Sequence, residues 1–211
     1  RTRHGIAVLR HRRAGQILRD GRLRQGSHGW PDIVGLQGAF SEFWKRSIIS
    51  TEGETHRRLR ELAVPALAPE YIDSLKPQFD GIARNLLKEL DKKTTCEFMA
   101  EFSIPFAGQA ICVLMGMNTD DWRDLSQDAS DLGLAMGIDC KSHQSTFNSA
   151  CDRLMVLADK LISNVRSGND ENSYVARLVK QQYSLTDISD QELRDMVVIS
   201  IFGGVDTTRS Q

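Results

Sequence analysis

From Leu193 to Val205 the chain reads LRDMVVISIFGGV. Leu193, Met196, Val197, Val198, Ile199, Ile201, Phe202 and Val205 leave almost no polar face, so this stretch can only be a helix that runs through the centre of a protein. Its start is marked. Ser189 and Glu192 stand three residues apart, the spacing at which each side chain satisfies an orphan backbone N–H of the other. A helix from Ser189 to Gln211 would be roughly 34 Å long. Burial is worth about 25 cal/mol per Å² of apolar surface, so exposing a few of Met196, Val198, Ile199, Ile201 and Phe202 forfeits several kcal/mol. We therefore expect residues 1–211 alone to leave this helix partly uncovered.

The rest of the chain supplies helices for it to pack against. TEGETHRRLRELAVPAL reads as a helix ending before Pro65. PEYIDSLKPQFDGIARNLLKEL reads as a helix in two pieces, with Pro69 and Pro77 each at a first-turn position. IPFAGQAICVLMGM is apolar nearly all round and predicts a buried helix. TDDWRDLSQDASDLGLAMG, TFNSACDRLMVLADKLISNVRSG and ENSYVARLVKQQ are amphipathic. Near the start, GIAVLR predicts a strand at a sheet edge, with a helix from about His11. The glycine-rich stretch 26–38, with Pro31, predicts a loop. The expected architecture is mainly α with a small N-terminal β element.

Composition narrows the function classes. The 211 residues carry a net charge of −1, which does not suit a nucleic-acid binder. No apolar run is long enough to span a bilayer, so no membrane anchor is expected. Cys96, Cys112, Cys140 and Cys151 show no close pairing and read as reduced core thiols of a cytoplasmic protein. Residues 1–24 hold eight arginines and one acid, either a solvated face or a docking surface for an acidic protein. The chain begins with Arg1 rather than Met, and reads as a piece of a longer one.

Gly203 and Gly204 each cost a helix about 1 kcal/mol relative to alanine. Two readings stand: close helix packing, or a bare face against which something flat and bulky lies. On the second, Thr207 lies one turn after Gly203 on the same face, where its hydroxyl can bond a small ligand, and the adjacent Asp206 can relay protons. His56 and Arg60, at i and i+4, project from one helix face and can clamp one anion or form a plain surface pair.

Together, FGGVDTTR and the His56-x-x-x-Arg60 pair resemble the cytochrome P-450 monooxygenases, particularly their soluble bacterial branch. The stretches IPFAGQAICVLMGM and DDWRDL resemble the family's middle helices in the right order. The resemblance implies a single incomplete P-450 domain over residues 1–211, cut inside the central distal helix. It implies haem b, with His56 and Arg60 on its propionates and Gly203 and Gly204 leaving room for O₂. Asp206 and Thr207 would deliver protons to the reacting oxygen, and Ile199 and Phe202 would border the pocket of a hydrophobic small-molecule substrate. The stretch from Gly26 to Phe40 and that from Asp131 to Phe147 would cap this pocket. A ferredoxin or flavodoxin-type donor would supply electrons, with Arg57 and Arg58 either facing an acidic ferredoxin or merely solvated. The chain departs from the family in three respects. No cysteine fits the Phe-x-x-Gly-x-x-x-Cys loop, so the axial thiolate lies outside this sequence. The one formal match to the family's Glu-x-x-Arg core pair, Glu54 to Arg57, overlaps the propionate helix and is chance. The N-terminal strands are short as well. The alternatives are a truncated or degenerate copy without catalysis, and a P-450-like domain kept as a binding or recruitment module.

Overall fold

The computed structural model describes residues 6–185 and 187–209, with Arg209 as backbone only. Ten α-helices are present among them: α1 (His11–Leu18), α2 (Trp30–Val34), α3 (Ala39–Arg46), α4 (Gly53–Ala66), α5 (Pro69–Leu90), α6 (Ile104–Met115), α7 (Trp122–Gly133), α8 (Gln144–Arg166), α9 (Tyr174–Ser184) and α10 (Asp190–Arg209). α10 is the axis, packed against α6, α7 and α8 and touched by α3 and α9. Ser189 and Glu192 cap it reciprocally: the Ser189 N–H donates to Glu192 Oε2 at 2.8 Å, and the Glu192 N–H donates to Ser189 Oγ at 3.2 Å.

The expectation that α10 would be left uncovered is corrected. Leu193, Met196, Val197, Val198, Ile199, Ile201 and Val205 are all buried, and Phe202 is half-buried. Glycine permits the closeness. A side chain at Gly204 would bring its Cβ to 2.2 Å from Ile111 Cδ1, and one at Gly108 would reach 2.4 Å from Ser126 Oγ on α7. The helices around the axis therefore approach nearer than side chains on both partners would allow. Ser210 and Gln211, the expected last turn, lie outside the described residues.

Other expectations are corrected for physical reasons. Ile6–Arg10 is not a strand: among the described residues there is no other strand to take up its backbone groups, and Ile6 and Leu9 stay exposed. The stretch 26–38 is not all loop, since it holds a 3₁₀ turn (Ser27–Gly29) and α2, with Pro31 at the start of α2 where its missing N–H costs nothing. α4 runs one residue past Pro65, and its terminal carbonyls at Pro65 and Ala66 accept from the Arg177 guanidinium at 3.2 and 2.9 Å. α5 is one helix: Pro77 removes a single N–H donor, while Tyr71, Leu75 and Ile82 bury one stripe on both sides of it. Cys96 is exposed; the other three thiols are buried.

The two stretches expected to cap a pocket are stapled together. The Phe40 N–H donates to Asn148 Oδ1 at 2.9 Å, Asn148 Nδ2 donates to the Gln37 carbonyl at 3.0 Å, and the Gln37 N–H donates to Gln144 Oε1 at 3.1 Å. Phe40 stacks on Trp44 and meets Phe147 of α8 edge-on, with ring centroids 5.7 and 5.2 Å apart.

Candidate functional site

The candidate residues fall on two strips, one on α10 and one on α4. On α10, Ile199, Gly203 and Thr207 recur every four residues and share a face. Ile199 is buried within the core, Gly203 is half-buried and Thr207 is exposed, so the strip rises from the interior to the surface. At Gly203 an added Cβ would meet no atom within 4 Å. The Thr207 hydroxyl turns back along the helix and donates to the Gly203 carbonyl at 2.5 Å. That bond uses the hydroxyl's proton and leaves its oxygen lone pairs facing outward.

The glycine pair therefore divides between the two readings made from sequence. Gly204 faces α6, where Ile111 occupies the space its side chain would need; that is close packing. Gly203 faces open space and alone leaves a bare patch. Phe202 divides from Ile199 in the same way. Its ring lies 3.7 Å from the Cβ that a side chain at Gly133 would carry, which turns it toward α7. Asp206 is half-buried, one turn after Phe202.

On α4, His56 is half-buried and its Nδ1 lies 3.0 Å from the Ile48 carbonyl. A carbonyl only accepts, so Nδ1 carries the proton, and Nε2 is a lone pair unless the ring is protonated. Arg60 is exposed, with no carboxylate partner among the described residues. It borders a cavity of about 450 Å³ with Arg57, Glu61, Val64 and Pro65. Val64, one turn further along α4, is 54% exposed, so an apolar patch adjoins the guanidinium.

Two arginines weighed as partner-facing are occupied. Arg57 bonds Glu54 and Glu61 on its own helix. Arg58 reaches across to pair with Glu192 of α10 and donates to the carbonyl of Asp187 just before that helix. Burial alone would raise the Glu192 carboxyl, but Arg58 and the Ser189 N–H outweigh it and hold it below the ordinary carboxylate value. One turn on, Asp195 is 3% exposed and accepts from Arg46 Nε of α3 at 2.8 Å. Its carboxyl is pushed up by burial, against the opposing pull of Arg46. Sequence reasoning passed over both links. The signal for the second was Asp195 itself, an acid inside an apolar run, which cannot be buried without a cation.

A haem can be tested against these residues. The open side of Gly203 offers a flat group room, and His56 with Arg60 offers two polar heads on one face of α4 for its carboxylates. Three of the four cysteines are buried in the core. Burial pushes the Cys112 and Cys151 thiols up to about 12, so the free side chains are thiols rather than thiolates. Among the described residues no group of three or more His, Cys, Asp or Glu is placed to hold a metal ion.

No protein-family profile matches the chain. Individual proteins do. Luteothin monooxygenase from Streptomyces thioluteus is 29% identical over the whole chain, which spans 52% of that protein. The polyketide biosynthesis cytochrome P450 PksS from Bacillus subtilis is 24% identical over 79% of the chain, and 40% of its own length. Among solved structures, CalO2 superposes with a TM-score of 0.84 at 22% identity, covering 95% of this chain and 51% of that one. Epothilone B-bound cytochrome P450epoK gives 0.81 at 19%, covering 95% and 52%. P450BioI, solved with a ligated acyl carrier protein, gives 0.79 at 18%, covering 94% and 51%. The chain thus spans about half the length of the curated relatives it matches. It is related in sequence to bacterial cytochromes P450 and has the N-terminal and central portion of their fold.

Proposed function

We propose that the natural protein carrying this chain is a haem-thiolate monooxygenase acting on a hydrophobic small molecule, with the α10 strip as its distal wall. The observation that carries this reading is the pairing of an open Gly203 with a Thr207 hydroxyl anchored on the Gly203 carbonyl, on a helix buried from Asp195 to Ile199. When bound, haem b supplies the activation of O₂ for insertion of one oxygen atom into the substrate. Gly203 keeps the wall thin where that chemistry occurs. Thr207, its proton committed to the Gly203 carbonyl, accepts a hydrogen bond at the reacting oxygen and passes a proton by exchanging donors, and Asp206 resupplies it from solvent. Ile199 closes the inner end of the strip against substrate. Gly204 and Phe202 serve instead by holding α10 against α6 and α7.

His56 and Arg60 hold the propionates. Arg60 contributes a fixed charge, and His56 presents Nε2 to the same group while Nδ1 stays on Ile48. The iron's thiolate is none of this chain's four cysteines. A ferredoxin or flavodoxin-type donor is offered the exposed Arg10, Arg12, Arg13 and Arg19 of the α1 region, which have no carboxylate partners among the described residues. The arginines of α4 are replaced in that role, because Arg57 and Arg58 are neutralised by their own acids. No helix among the described residues is long and apolar enough to cross a membrane, and we place the protein in the cytoplasm.

The test uses the natural protein. Its reduced carbon monoxide complex should give the thiolate-type Soret band, and Thr207→Ala should keep substrate binding while diverting most reducing equivalents to peroxide. Equal coupling of NAD(P)H use to product in mutant and wild type would remove Thr207 from the mechanism. A haem-free natural protein that still bound a hydrophobic ligand would favour a binding module instead.

A further inference from the structure

We propose that Arg58 is the positioning residue that sets the rotation of α4, and so the direction in which His56 and Arg60 are presented. The inference rests on the reading of those two as the propionate pair. At about 100° per residue, His56 and Arg60 lie about 40° apart around the helix, whereas Arg58 projects about 160° from each. Its flank is the one that meets the start of α10.

The contact there fixes an angle as well as a distance. Arg58 Nη2 and Nη1 take the two oxygens of Glu192, the second at 3.2 Å, and Nη1 also donates to the Asp187 carbonyl. Arg58 Nε lies 3.6 Å from the Asp187 carboxylate. A planar guanidinium held at both nitrogens of its fork has one allowed orientation. The same Glu192 Oε2 accepts the Ser189 N–H at 2.8 Å and the Ser189 hydroxyl at 2.7 Å. One carboxylate therefore both caps α10 and holds α4. The buried residues of α4 are Leu59, Leu62 and Ala66, apolar side chains whose contacts keep the helix on the core but are not directional in the way a forked ion pair is. Arg177, on the Pro65 and Ala66 carbonyls, fixes the far end in place without gripping a side chain of α4.

The test follows haem transfer from the natural holoprotein to apomyoglobin, together with amide hydrogen exchange across α4 in the apoprotein. Arg58→Ala should accelerate transfer roughly tenfold, the scale of one charge-assisted hydrogen bond misplaced, and should raise exchange in α4. Arg58→Lys should fall between, since an ammonium cannot fork. Asp190→Asn is the control: it weakens the neighbouring pair with Arg166 at the start of α10 but leaves Glu192 and the fork, so it should lower the melting temperature slightly while transfer stays at the wild-type rate. If Arg58→Ala does not fold, Arg58→Lys and Glu192→Gln carry the comparison. A wild-type transfer rate in the Arg58 variants, or Asp190→Asn matching them, overturns the proposal. A wild-type protein that takes up no haem overturns the propionate reading and this inference with it.

Discussion

The first half of α10 is tied down and the second half is left open, although both are written largely in apolar residues. Glu192 and Asp195 pair with Arg58 and Arg46, which lie 134 and 149 positions away in sequence. They bind the helix to α4 and α3, the elements that carry the candidate propionate pair and the cap. From Gly203 onward the side chains shrink, one flank closes on Ile111, and the other meets nothing. Charge at one end orients the helix, and missing side chains at the other end make room beside it. The second is useful only if the first has fixed which flank the room is on.

The strongest way to break that contrast is to release the tied half. In Arg46→Ala the Asp195 carboxylate would stay buried with its cation gone. Removing one partner of a buried pair costs about 3–5 kcal/mol, and the half-exposed Arg46 puts the expectation at the lower end, about 3 kcal/mol at pH 7. Urea unfolding of the purified protein measures it. A loss below about 1 kcal/mol, the range of surface pairs, would show that the link orients nothing.

The next comparison sets the two glycines against each other. Gly204→Val should destabilise by about 1–3 kcal/mol, because the new side chain must displace Ile111 from a packed interface. Shortening the neighbour with Ile111→Val should recover part of the loss of Gly204→Ala, since it deletes the Cδ1 atom that lies 2.2 Å from the added Cβ. Gly203→Ala should do the reverse and stabilise the apoprotein by up to about 1 kcal/mol, the helix propensity gained with no clash. If both alanine variants change stability equally, the division of labour between the glycines is wrong.

Which parts of this were legible in the sequence follows from the range of the interactions. The reciprocal cap of Ser189 and Glu192 was read correctly, since both partners lie within one turn and the motif is local. The central position of α10 was read from its lack of a polar face. Periodicity is blind to partners a hundred residues away, so Arg58 looked like a solvated cation and Asp195 was passed over. The same limit explains the glycines. Their shared cost to the helix is local, but which of them is open depends on where Ile111 comes to rest. Proline was overread: Pro77 and Pro65 signal a lost hydrogen bond, and the stripe of Tyr71, Leu75 and Ile82, or the Arg177 cap, outweighs one bond. The strand at Ile6–Arg10 had the right residue types, but a strand also needs a neighbour.

The smallest effect is expected from the third acid at this end of α10. Asp190 pairs with Arg166, Nη2 to Oδ1 at 2.5 Å, but its side chain is 68% exposed, so solvent screens most of the attraction. The Arg166 guanidinium, with help from Gln182, lowers its carboxyl from 3.8 to about 2. A carboxyl held lower in the folded state than in the unfolded one stabilises the fold while it is ionised. That contribution is complete above the unfolded value and is lost as pH falls toward the folded one. The stability gap between wild type and Asp190→Asn should therefore be about 0.5 kcal/mol at pH 7, as for other exposed pairs, and should close between about pH 4 and pH 2. Asp195 runs the opposite way, since burial raises its carboxyl and its ionisation opposes folding as pH rises through the acid range. Denaturant titrations of both proteins at several pH values down to 2 separate these trends. A gap for Asp190→Asn that stays constant throughout would mean that its bond to Arg166 adds nothing, and that the tied half of α10 is held by Glu192 and Asp195 alone.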